Sequence, residues 1–336
     1  MPETMRLHEF HPAAAPLRAE LSFAGAHCSL ATNSPELVAS VSRWRVSPGP
    51  CGPAIELRAI VDDAAIRRPD APMHFRGSHH LVFALISTDE TFAFDLLRRR
   101  MTGVVSRETA RDAEFWATRI VPLVLGLMGI TVGIVPLHCA CLELNGEGLL
   151  LAGKSRAGKS TLAVSLSKRG FALISDGWTY LKRNAAGELV ARGISAPVKL
   201  LPDAVDHFPE LRGYKCAKAF NGEIAIEFDA ALALNATMLH ESCPRRLVLL
   251  ERSQSGPTEL EPLSADAVLE FFLGSLELMP APLEGLAASR EALIAQLSRI
   301  ECWKMRHAGP PQETAEVIHR FYEGSHSSRV SRCTVS

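Results

Sequence analysis

Eight consecutive residues constrain this chain more than any other feature. Gly153-Lys154-Ser155-Arg156-Ala157-Gly158-Lys159-Ser160 fits the pattern G-x-x-x-x-G-K-[ST] in full, with an apolar run before it and a helical stretch after it. Glycines at those places let backbone N–H groups turn inward around phosphate oxygens. The helix that starts at the loop's end adds its positive pole. In that setting Lys159 reaches the β- and γ-phosphates of ATP, and the Ser160 hydroxyl ligates Mg2+, with Thr161 next to them in the first helical turn. The expected fold class is therefore α/β, with the loop on a nucleotide-binding domain.

The next apolar run, 171–175, follows the helix after Gly170 and ends on Asp176, seventeen residues beyond Lys159. In a right-handed strand–loop–helix–strand unit this second strand lies beside the first or close to it. Its terminal carboxylate then faces the phosphates. Two roles are open to Asp176, Mg2+ ligand or general base for an incoming hydroxyl; the structural alternative is a carboxylate that caps the following turn. His138 opens the run 137–144, which the Asn145-Gly146 turn joins to the strand feeding the loop. It is placed to orient Asp176, or else to be a satisfied core histidine.

Composition narrows the partners. The formal net charge of −1 provides no field for nucleic acid or anionic lipid. Eight cysteines without a C-x-x-C pair read as reduced thiols of a cytoplasmic protein. Cys139 and Cys141 alternate within an expected strand, with no second ligand pair at zinc spacing, so no metal site is assigned there. The first residues show no basic-then-apolar leader. The eighteen uncharged residues 120–137 are interrupted by Pro122, Gly126, Gly129, Gly133 and Pro136. They read as a buried helix running into a core strand, not as a membrane span.

Upstream, 1–16 reads as a loose leader and 21–32 as a strand. Ser34 reads as the N-cap of a short helix, and 54–63 as a strand. His79 and His80 read as a strand start and 98–100, all arginine, as a solvated strand end; a helix follows Asp112. The expected organisation is a smaller α+β N-terminal domain over 1–111, serving acceptor recognition or assembly; a nucleotide-binding kinase domain over 112–324; and a disordered tail over 325–336. A homo-oligomer is left open.

His138, a strand, a short turn, a second strand and then the run 152–176 together resemble the HPr kinase/phosphorylase family and its HPr-kinase-related members. The resemblance is specific over 137–181 and does not reach 1–110. It implies an ATP- and Mg2+-dependent kinase acting on a serine hydroxyl of a protein or peptide whose identity is open. By position it makes Asp176 the catalytic base, His138 its neighbour, and Lys159 and Ser160 the holders of phosphate and metal. Glu210-Leu211-Arg212-Gly213 matches the family's E-[IL]-R-G stretch, which implies Glu210 as a magnesium ligand. Gly177 stands where the family has a second acid, which puts the reverse, dephosphorylating reaction in question. A nucleotide sensor without transfer, and a small-molecule kinase, are the competing readings.

Overall fold

The computed structural model describes residues 15–47, 54–67, 73–194, 196–218, 223–274 and 284–333. All of the leader except residues 15 and 16 lies outside them. Contacts divide the chain into two units: Met1–Pro136 with Leu276–Leu293, and Leu137–Ser275 with Ile294–Ser336.

The first unit is built on seven strands: β1 (Leu17–Phe23), β2 (Ala26–Thr32), β3 (Ile55–Asp62), β4 (His74–Ser78), β5 (Leu81–Leu85), β6 (Thr91–Asp95) and β7 (Arg100–Ser106). They form one sheet in the order β1-β2-β3-β7-β6-β5-β4. The run expected as a single strand at 21–32 is instead the end of β1, a turn and all of β2, paired as a hairpin. Ala24 and Gly25 both take positive φ, 47° and 82°, which is the geometry of a two-residue turn between twisted strands. His79 and His80 do not start a strand; they form the turn between β4 and β5, with His79 at φ 56°. The Ser34 side chain accepts from Leu37 N and caps Pro35–Ser40 as expected.

The sequence reading put the domain boundary at 111/112, whereas the contacts put it at 136/137. The reason lies in the helical stretch after Asp112, which caps it by accepting from Phe115 N. Trp116 is buried with its ring 6.3 Å from Phe92 of β6, and its indole N–H donates to the Thr109 carbonyl. The apolar stretch Ala113–Val132 is long and apolar enough to cross a membrane, yet half of it is buried inside the fold. It is a core element of the first unit.

β8 (Val135–Leu137) spans the boundary, and the second unit then carries β9 (Ala140–Leu144), β10 (Glu147–Gly153), β11 (Ala172–Ser175), β12 (Thr179–Arg183), β13 (Leu189–Arg192), β14 (Val198–Leu200), β15 (Cys216–Lys218), β16 (Ile224–Phe228), β17 (Glu241–Ser242), β18 (Pro244–Arg252), β19 (Glu259–Pro262) and β20 (Glu301–His307). Its main sheet runs β11-β9-β10-β18-β20-β19. The centre is parallel: β10 pairs with β18 and β18 with β20. Leu149–Ala152 are all buried, as strands covered on both faces are. The helix Lys159–Ser167 covers one face together with the final helix Pro311–Cys333, and Phe171 meets Tyr322 edge-on at 5.3 Å. That last helix continues past 324, where the sequence reading ended the domain and began a disordered tail.

β9 lies between β10 and β11 and is antiparallel to both. β10 and β11 therefore point the same way, and their C-terminal ends lie at the same sheet edge. The loop 153–160 leaves one of those ends and Asp176 leaves the other.

Candidate functional site

The loop begins where Gly153 backs onto β18: a Cβ there would stand 2.8 Å from the Leu250 carbonyl oxygen. Lys154, Ser155 and Arg156 are exposed, and Arg156 sits at φ 63° with its guanidinium 3.9 Å from Glu223. Ala157 is buried. Gly158 takes φ 92°, a conformation that L side chains resist, and delivers the chain into the helix. Lys159 is 7% exposed, and its ammonium donates to the carbonyls of Gly153 at 2.9 Å and Lys154 at 3.1 Å. Burial pulls its pKa down, and the negative charge of Asp176 opposes that pull. Ser160 and Thr161 are half-buried in the first helical turn.

Asp176 arrives next to the loop from β11. One carboxylate oxygen, Oδ2, accepts from the Lys199 backbone N–H at 3.1 Å. The other, Oδ1, is buried and has no hydrogen-bond partner. Burial raises the Asp176 pKa above the usual carboxylate range. Hydrogen bonding from the Ser160 hydroxyl and the Lys199 N–H, with the charges of Lys159 and Lys199, draws it partly back. Lys159, Ser160 and Asp176 are thus near one another.

Two carried-over residues are placed differently. His138 stacks on Trp178, ring centroids 5.3 Å apart, and among the described residues no hydrogen bond joins it to Asp176. Burial, and then the Lys159 charge, hold its pKa below the ordinary histidine value, so it is neutral near pH 7. Its place is set by a different contact. The Thr179 hydroxyl donates to the Cys139 carbonyl at 2.8 Å and meets the Ser175 hydroxyl at 2.6 Å, which ties the His138 turn to the 175–179 segment. Glu210 is not brought to the loop. It sits in the short 3-10 turn Pro209–Gly213 and pairs with Lys168, the residue that caps the far end of the loop helix. Nine helical residues put about 13 Å between the two ends. Among the described residues no group of three or more His, Cys, Asp and Glu side chains is placed to hold a metal ion.

Several contributors were not seen in the sequence. Lys199 acts through its backbone N–H, for which no side-chain pattern exists. Trp178, 50% exposed, follows Gly177 and stacks on His138. His307 ends β20 and packs on the loop, its Nε2 3.0 Å from the Ala157 carbonyl. A polar residue at the C-terminal end of a parallel strand was the available signal for it.

Residues 134–218 match the family model described as HPr Serine kinase C-terminal domain. The HPr kinase/phosphorylase of Lachnoclostridium phytofermentans is 34% identical over 79 residues, 24% of this chain and 23% of that protein. That of Alkaliphilus metalliredigens is 33% identical over 97 residues, 29% of each chain. The solved structure of the Hpr(Ser) kinase/phosphatase from Coxiella burnetii aligns at 15% identity with a TM-score of 0.33, covering 60% of this chain and 99% of that one. The matched stretch spans roughly a quarter of the length of these curated relatives. Through the segment that carries the loop and Asp176, this chain is similar to members of the HPr kinase/phosphorylase family.

Proposed function

We propose that the protein is an ATP- and Mg2+-dependent kinase that transfers the γ-phosphate to a serine-type hydroxyl of a protein or peptide. The observation that carries this reading is the Asp176 carboxylate. One of its oxygens is buried and unpartnered, beside Ser160 and Lys159 at the start of the loop helix. An unpartnered buried carboxylate oxygen is costly unless a proton or a cation meets it. The raised pKa suits a group that takes a proton from an attacking hydroxyl.

In this reading the loop amides and Lys159 bind the phosphates. Lys159 exchanges the Gly153 and Lys154 carbonyls for phosphate oxygens, so its charge is already held at the loop before nucleotide arrives. Asp176 accepts the hydroxyl proton as the acceptor oxygen attacks in line. The Ser160 hydroxyl and Asp176 are the oxygen donors that fit Mg2+, which takes one or two protein ligands together with phosphates and waters. When bound, that ion neutralises charge on the β- and γ-phosphates. Glu210 is left out of the metal set because Lys168 holds it elsewhere. Neutral His138, stacked on Trp178, adds no charge beside Lys159.

Support for a serine acceptor comes from the names borne by the relatives and the matched family model. Only the forward transfer is proposed. Gly177 takes φ 93°, so a second acid at this position would be strained as the backbone stands. The test is transfer from γ-labelled ATP to a hydroxyl acceptor by the unaltered chain and by Asp176→Asn. Loss of transfer with retained ATP binding supports the reading. Unchanged transfer in the variant removes Asp176 as the base, and binding without transfer in the unaltered chain makes the protein a nucleotide sensor.

A further inference from the structure

β20 ends on His307 at the same sheet edge as the loop, because β10, β18 and β20 are parallel. His307 pairs in register with Arg252 of β18, and its carbonyl accepts from Ser253 N at 2.9 Å, so the backbone under the ring is fixed. The side chain is 7% exposed. Its Nε2 lies 3.0 Å from the Ala157 carbonyl oxygen. A carbonyl only accepts, so Nε2 carries the hydrogen. The ring also rests against the loop's second glycine: a Cβ on Gly158 would stand 3.4 Å from His307 Cε1. Burial holds the imidazole pKa below the ordinary histidine value; the hydrogen bond to Ala157 opposes this and the Arg252 charge adds to it, so near pH 7 the ring brings a donor to the loop without adding a charge.

The carbonyl of Ala157 and the N–H of Gly158 belong to one planar trans peptide, and in such a plane they point in opposite directions. Whatever holds the carbonyl on one side therefore aims the N–H to the other. Phosphate binding by a glycine-bounded loop depends on which way its N–H groups face. From this geometry we infer that His307 is a positioning residue that fixes the 157–158 peptide, so that the Gly158 N–H faces the phosphate-binding side of the loop. The inference rests on the reading of 153–160 as a phosphate loop. It adds a contact from a residue 150 positions away, outside the matched segment 134–218. Lys159 and Ser160 touch the nucleotide in that reading; His307 acts only through the backbone.

The test compares ATP and ADP binding by calorimetry in the full chain and in His307→Phe, His307→Gln and Lys159→Ala. Phe keeps the ring bulk and removes the donor, whereas Gln offers an amide N–H. His307→Phe is expected to weaken ATP and ADP binding about tenfold, the size of one lost hydrogen bond. His307→Gln is expected to recover most of that loss, and both variants to melt within a few degrees of the unaltered chain. ATP binding by His307→Phe at unaltered affinity overturns the inference, as does a Gln variant as weak as Phe. Unaltered ATP affinity in Lys159→Ala instead overturns the phosphate-loop reading itself. Should His307→Phe fail to fold, nitrogen-15 NMR of the imidazole in the unaltered chain decides. A protonated Nε2 that persists when ADP is added supports the inference, and a bare Nε2 overturns it.

Discussion

At the scale of single residues, Asp176 couples chemistry to stability. Its folded-state pKa is raised, mainly by burial. Above the ordinary carboxylate value the folded chain holds this proton more tightly than the unfolded chain does. Stability therefore falls as pH rises from the unfolded pKa through the raised one. Asp176→Asn removes that ionisation. We expect it to lower transfer by about 10²-fold or more while leaving the melting temperature at pH 7 unchanged or higher. A clear drop in melting temperature would mean that the carboxylate is a structural cap. The same shift governs rate. Transfer should decline on acidification at a pH above the ordinary carboxylate range, because protonated Asp176 cannot accept the hydroxyl's proton. A pH–rate profile flat down to the ordinary carboxylate value would contradict the assignment of Asp176 as base.

At the scale of elements, the parallel centre is held at its other end by one buried cation. Arg246 of β18 is 1% exposed, and its guanidinium reaches Glu147 of β10 and Glu301 of β20, both at 2.9 Å. It also lies 4.2 Å from the Tyr322 ring centroid. One side chain thus joins three adjacent parallel strands to the last helix. Arg246→Ala should cost at most about 3–5 kcal/mol in urea unfolding, since it removes the buried cation that two carboxylates share and one of them, Glu301, stays half-exposed to water. Arg246→Met, which keeps the packing, should cost nearly as much because the same shared cation is lost. The strand–loop–helix–strand order around 149–176 was legible because its signals are local, a glycine-bounded loop with an Asn-Gly turn before it, as were the caps at Ser34 and Asp112 in the first unit. Ala24-Gly25 was missed because alanine seldom takes positive φ, and nothing in the run announced a turn. Glu210 was misplaced because a four-residue match says nothing about Lys168, forty-two positions away, which claims the carboxylate. Lys199 and His307 reach the site across the fold, and long-range pairing is what a single sequence conceals.

At the scale of the molecule, the chain does not divide with one cut. Leu276–Leu293 returns to the first unit after most of the second has been laid down. A chain starting at residue 108 keeps Trp116 and removes Phe92, against which its ring packs. It also leaves the returning segment without the sheet of its unit. That truncated chain is expected to be insoluble, or to lose cooperative thermal unfolding. A soluble, cooperative product that binds ATP would show that the helix after Asp112 belongs with the second unit. The position of β20 has a further consequence on the ribosome. The loop is made near the midpoint of the chain, and the imidazole that contacts it follows 150 residues later. At roughly 5–20 residues per second, that interval is about 8–30 s of translation. Through it the nascent chain carries the glycines and Lys159 without the strand that completes the sheet beside β18. A chain still being synthesised should therefore be blind to cellular ATP, gaining its nucleotide response only once residue 307 has left the exit tunnel.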